Sequence, residues 1–111
     1  MAWEIKWTND ALSDVDAIAR FIALDSTRYA EVMTERFFAS VEDLAAFPGM
    51  GRQLPEIDHP DYRDWIVGAY RIVYRLDRDV NQLVVVGVVH GARQLLKAMQ
   101  DRLPKPRRRR K

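Results

Sequence analysis

The chain has 111 residues, 48% of them hydrophobic and 31% charged, the make-up of one globular domain large enough to bury a core. It contains no cysteine, which excludes disulfides, thiol nucleophiles and cysteine-ligated metal sites. The net charge of +2 is uneven: Lys105, Arg107, Arg108, Arg109, Arg110 and Lys111 supply six positive charges, leaving a body with twelve basic and sixteen acidic residues, without the basic face of a general nucleic-acid binder.

"AWEIKW" alternates Trp3, Ile5 and Trp7 with polar residues, which predicts a short strand with one buried face. Thr8 fits an N-cap, and Ala11, Val15, Ile18 and Ile22 recur at helical spacing, predicting a helix over about residues 9–24. Ser26 fits a second cap, and Ala30, Met33, Phe37, Val41 and Leu44 form the next apolar stripe. Two amphipathic helices joined by so short a turn pack as an antiparallel hairpin. "FPGMGRQLPEIDHPD" holds three prolines and two glycines and has no period, so it reads as a long loop.

Three strands follow. "YRDWIV" and "YRIVYRL" flank Gly68-Ala69, which suits a tight type II′ turn. "QLVVVGVVH" is apolar on both faces and belongs inside the sheet. Leu95, Met99 and Leu103 mark a short final helix that Pro104 ends. The expected fold is α+β: an N-terminal strand and a helical hairpin packed on a small antiparallel sheet, with a short C-terminal helix. Residues 1–104 form one domain, and 105–111 read as a basic, low-complexity tail that is disordered. No apolar run approaches the ~20 residues that cross a bilayer. "MAWEIKW" has no signal-peptide shape. A cytoplasmic protein without a membrane partner is expected.

Candidate functional residues centre on the sheet. In "AYRIVYRL", alternation sets Tyr70, Ile72, Tyr74 and Leu76 on one face, and Arg71, Val73 and Arg75 on the other. The apolar set belongs under the helices. Arg63 joins Arg71 if the strand register agrees, and Arg93 lies just past the last strand. Guanidinium groups so gathered bind phosphates or carboxylates bidentately; the alternative is that each pairs with a nearby acid such as Asp61, Asp64 or Asp77. His90 offers an imidazole, the side chain most often used as a general acid or base, but needs a partner for chemistry; a strand-end histidine satisfied by the backbone is the alternative. Glu56 is a candidate general base in the loop. With two histidines and no metal-ligand spacing, no metal or cofactor is expected.

"WTNDALSDVDAIARFIA", "FPGMGR", "AYRIVYRL" and "VVHGARQL", in this order and at these distances, resemble the RelE/ParE superfamily of bacterial toxins from type II toxin–antitoxin systems. The resemblance runs from about Trp7 to Leu103 and implies a helical hairpin against a small antiparallel sheet. RelE-like members cut messenger RNA on the ribosome; ParE-like members inhibit DNA gyrase. As a nuclease, the chain would place Arg71 where a RelE-like catalytic arginine sits, Arg93 near another and Arg63 near a catalytic lysine. His90 and Glu56 would be left to move protons. The second lysine position falls on Trp65, and "QLLKAMQDRL" lacks the late tyrosine. "FPGMGR" and "VVHGARQLL" look more like the ParE branch. The resemblance therefore implies a gyrase inhibitor, with Arg63, Arg71, Arg75, His90 and Arg93 as a partner-binding surface. It also implies a cognate antitoxin docked on the hairpin and near the Arg71 face. A ribosome-dependent nuclease and an inactive antitoxin-binding relative are the alternatives. For the basic tail, extra affinity for DNA or ribosomal RNA stands against simple solvation.

Overall fold

A computed structural model describes residues 2–105; apart from Lys105, the basic tail lies outside the described residues. Strand β1 (Glu4–Trp7) leads into helices α1 (Asn9–Ala23) and α2 (Thr27–Ala46). A single 3₁₀ turn (Pro48–Met50) comes next, then β2 (Arg52–Gln53), β3 (Tyr62–Val67), β4 (Tyr70–Asp77), β5 (Gln82–His90) and α3 (Leu95–Met99). The sheet order is β1-β5-β4-β3-β2.

Both long helices begin where the sequence places their caps. The Thr8 hydroxyl accepts from the Ala11 amide at 3.1 Å, and the Ser26 hydroxyl from the Tyr29 amide at 3.0 Å. Thr8 also closes β1: its hydroxyl donates to the Val85 carbonyl at 3.0 Å and its amide to the same oxygen at 3.2 Å. One residue thus ends a strand, starts a helix and fixes both to β5. The Gly68-Ala69 turn has φ +58° at Gly68, the left-handed region that glycine enters without steric cost.

The hairpin covers one sheet face. Val15, Met33, Phe37, Val41 and Leu44 pack on Ile72, Tyr74, Leu83, Val85 and Val88, with Trp3, Ile5 and Trp7 half-buried at the margin. The Tyr74 hydroxyl lies inside this structure, donating to the Pro48 carbonyl at 2.9 Å and accepting from the Gly51 amide at 3.1 Å. A Cβ at Gly51 would collide with that hydroxyl, so glycine is required there for close approach. Burial pushes the Tyr74 phenol above its ordinary pKa.

Three features depart from expectation. The sheet is not wholly antiparallel, because β1 pairs parallel with β5 (Glu4 opposite Gln82, Trp7 opposite Val85); the intervening helices and strands carry the chain back to the same end. The stretch from "FPGMGR" to the start of β3 does not form a free loop. Leu54 and Ile57 are buried, and β2 pairs with β3. The second sheet face is also not an open arginine face: Leu54, Ile57, Val73, Val86, Val89, Leu95 and Met99 form a second core on it. Burial of Leu95 and Met99, at ~1.5–3 kcal/mol each, holds a helix too short to persist alone.

A bulge in β5 decides which side chains reach which core. Val73 faces Gly87 while Tyr74 faces Val85, so Val86 is an extra residue. Alternation from Val84 alone would send His90 to the second face. After the bulge it sits opposite Tyr70, on the helix side.

Removing the Tyr74 hydroxyl leaves the Gly51 amide and the Pro48 carbonyl without their partner. Tyr74→Phe is expected to lower unfolding free energy by about 1–3 kcal/mol, measured by urea denaturation; an unchanged midpoint would show that the hydroxyl does not hold the segment.

Candidate functional site

The expected arginine cluster divides in the structure. Arg63 lies opposite Tyr74 and therefore on the helix side, whereas Arg71 shares the other face with Asp64, Val73 and Arg75. The register, which alternation within one strand does not specify, separates Arg63 from Arg71. Arg63 donates from Nη1 to the Gly51 carbonyl at 2.7 Å, and its Nε is buried without a hydrogen-bond partner.

Arg71 is only 6% exposed and Asp64 only 1%. The guanidinium meets two carboxylates. Nη1 and Nη2 donate to the two oxygens of Glu56 at 2.6 and 2.9 Å. Nε donates to Asp64 Oδ2 at 2.8 Å, and Nη2 lies 2.7 Å from the same oxygen. Arg52, from the edge strand, adds a second fork to Asp64 at 2.7 and 3.1 Å. The hydrogen bonds that Arg71 donates to Glu56, with those it donates to Asp64, raise its pKa, and the same contact lowers that of Glu56. Glu56, the candidate base, is thus held ionised by the candidate phosphate ligand. Of the sequence-predicted residues, this network unites Arg71 and Glu56 and leaves out Arg63, Arg75, His90 and Arg93. Arg52 was not singled out from sequence, since a two-residue edge strand gives no periodic signal.

His90 and Arg93 come together elsewhere. With Ile18, Phe21, Tyr70 and Val88 they line a mainly apolar groove of about 520 Å³ between α1 and the end of β5. The His90 ring meets Tyr70 edge-on at 5.3 Å, and Tyr70 meets Phe37 at 5.6 Å. His90 Nδ1 accepts from the Ala92 amide at 3.0 Å, the backbone-satisfied arrangement. Phe21 is 72% exposed at the groove's rim. Arg75 is half-exposed, 3.8 Å from Asp77.

The groove exists because β1 stops at Trp7, leaving the outer edge of β5 uncovered beyond Val85. Asp14 and Arg102 fill part of that edge. Asp14 Oδ2 accepts from the Val88 amide at 3.0 Å, and Arg102 Nη1 donates to Asp14 at 2.6 Å and to the Val86 carbonyl at 3.3 Å. A Cβ at Gly87 would approach Met99, Arg102 and Asp14 within 3 Å. No sequence feature signals the Asp14–Arg102 pair, which spans 88 positions. Among the described residues, no group of three or more potential metal ligands occurs, and no helix is long and apolar enough to cross a membrane.

This hairpin-on-sheet architecture is that of the RelE/ParE superfamily toxins. Within it the chain belongs to the family described as the ParE toxin of the type II toxin–antitoxin system parDE, whose model matches residues 5–95. Solved structures share the fold. The chromosomal ParDE system of P. aeruginosa is 18% identical, with TM-score 0.65, covering 80% of this chain and 96% of that one. The toxin–antitoxin complex RelBE2 of Mycobacterium tuberculosis is 22% identical, with TM-score 0.57, covering 81% and 99%. A free arginine double mutant of the E. coli toxin RelE is 17% identical, with TM-score 0.61, covering 89% and 94%. No curated protein matches the chain significantly in sequence.

The Glu56 carboxylate lies below its ordinary value of 4.5 in the folded protein. A depressed carboxylate contributes stability that is present above the unfolded pKa and is lost as pH falls through the folded pKa. Urea midpoints of the wild type should therefore fall more steeply below about pH 4.5 than those of Glu56→Gln; parallel curves would show that the Arg71 contact does not stabilise the fold.

Proposed function

We propose that this toxin acts by inhibiting DNA gyrase, with a cognate antitoxin that neutralises it, and not by cutting messenger RNA. The observation that carries this reading is the saturation of Arg71. Four of its N–H groups face the carboxylates of Glu56 and Asp64, so it offers little to a phosphate. Positioning a scissile phosphate needs converging free cations and a proton-transfer partner. Arg63 lies on the opposite face, His90 bonds a backbone amide, and residues 91–105 contain no tyrosine. Loss of acid–base groups costs about 10²–10⁴-fold in rate. Membership of the ParE family is consistent with the same target.

The antitoxin is proposed to lay an apolar segment along the α1–β5 groove, covering Phe21 and Ile18 and facing His90 and Arg93. Arg71 is buried in its own ion network, so Arg93 and not Arg71 supplies the positive charge at that contact. The neighbouring structures that include antitoxins support a partner of this kind.

The decisive assay is gyrase supercoiling with the purified toxin, scored also for cleaved DNA. Inhibition at a stoichiometric dose is the expected result. Unaffected supercoiling by folded, antitoxin-binding toxin would return the case to ribosome-dependent cleavage, and expression without antitoxin that fails to arrest growth would indicate an inactive relative. Arg93→Glu should weaken antitoxin binding at least tenfold, or about 1.4 kcal/mol, in titration calorimetry; undiminished affinity would remove Arg93 from the interface.

A further inference from the structure

The helical hairpin carries a second groove, between α1 and α2. It is mainly apolar, about 480 Å³, and lined by the small side chains of Ala19, Ala23, Thr27, Ala30 and Thr34. Glu31 and Glu35, one turn apart on α2, stand at its rim and are exposed. Leu24, next to Ala23 in the turn of the hairpin, is 86% exposed. We propose that this groove takes a basic amphipathic helix on the surface of gyrase. The helix sets its apolar side on the alanines and its lysines or arginines against Glu31 and Glu35, the helix-in-groove mode of recognition. The choice of partner rests on the gyrase reading.

Charge selects the occupant. Residues 9–46 hold eight acidic and three basic side chains, whereas residues 47–105 hold seven acidic and nine basic. On α1, Asp10, Asp14 and Asp16 each meet an arginine. The acids of α2 are not answered in this way: among the described residues, Glu31, Glu35, Glu42 and Asp43 have no ion-pair partner. Arg20, also at the groove, is bound to Asp16 at 3.0 Å. The helix itself gains nothing from Glu31 and Glu35. Like charges four residues apart destabilise a helix. The first turn of α2, where the dipole favours a carboxylate, contains no acid. The pair is therefore left for an external cation.

A second copy of the chain would bring the same acidic hairpin against itself, and a polyanion is repelled for the same reason. Gyrase holds duplex DNA, so it displays the basic surface that the groove requires. The position also accounts for neutralisation without a shared contact. α1 presents Ile18 and Phe21 to the antitoxin groove, and Ala19 and Ala23 to this one. A helix about 10 Å wide is too thin a partition for two folded partners, so an antitoxin on one side excludes gyrase from the other.

The test is the binding of full-length toxin to intact gyrase by biolayer interferometry, between about 50 and 200 mM NaCl, alongside the half-inhibitory dose in supercoiling. Three variants are compared with the wild type. Glu31→Lys with Glu35→Lys reverses the rim. Thr27→Trp fills the groove from an exposed position. Asp79→Lys with Asp101→Lys makes the same change in net charge at exposed acids outside the hairpin. Reversal of the rim should slow association at least tenfold and remove most of its salt dependence, as rim charges do. Thr27→Trp should speed dissociation at least tenfold, and the distant pair should stay within about twofold of wild type. Antitoxin affinity and urea midpoints should not change. An equal loss in the distant pair would overturn the proposal, as would unaltered dissociation of Thr27→Trp. A rim reversal that weakens antitoxin binding at an unchanged urea midpoint would assign the groove to the antitoxin instead. Variants that inhibit like an active wild type would remove this groove and leave the gyrase reading standing; a wild type that neither binds nor inhibits gyrase would remove both.

Discussion

A guanidinium taken out of water has to be met by carboxylates, and the burial of Arg71 sets much of what surrounds it. Asp64 answers from the adjacent strand and Glu56 from the long connection after α2. Desolvating such groups costs several kcal/mol per ion, which is recovered only when the geometry is good and the remaining N–H groups are satisfied. The network meets both conditions, with Arg52 occupying the outer side of Asp64. Because Glu56 is bound, the segment between Gly51 and Asp61 is drawn over the sheet, and Leu54 and Ile57 enter the second core. A charge near the start of β4 thereby closes the face on which it was expected to be displayed.

The functional consequence is a redistribution of the candidate residues. Arg71 and Glu56 become partners in a structural pair. His90 and Arg93 move to a groove whose apolar wall is supplied by α1. The β5 bulge makes this possible, since one extra residue turns His90 toward the helices. A groove with aromatic and aliphatic walls and a few polar groups at the rim suits an amphipathic segment better than a phosphodiester.

Much of the fold was legible because it rests on short-range patterns. Thr8 and Ser26 cap where they stand, the stripes from Ala11 to Ile22 and from Ala30 to Leu44 face the core, and the Gly68-Ala69 turn joins β3 to β4. The features that escaped depend on comparing distant segments. Alternation gives the two faces of β4, but only the register with β3 reveals that Arg63 belongs with Tyr74. A bulge leaves no mark in "VVVGVV" beyond a glycine, and Gly87 is explained by the close approach of Met99, Arg102 and Asp14. Asp64 was legible as an acid available to the arginines. That it would be almost fully buried, with Glu56 completing the set, was not, because burial is a property of the second core and not of β3.

The parallel pairing of β1 with β5 has a kinetic corollary. Glu4 and its partner Gln82 stand 78 positions apart in the chain. Contacts this distant in sequence close late, since loop entropy must be overcome before they form. During synthesis Trp3, Ile5 and Trp7 leave the ribosome long before the strand they pair with. The hairpin of α1 and α2 can collapse early, but the α1–β5 groove comes into being only once β5 has emerged. The groove therefore takes shape only after the hairpin has been made and β5 has joined the sheet.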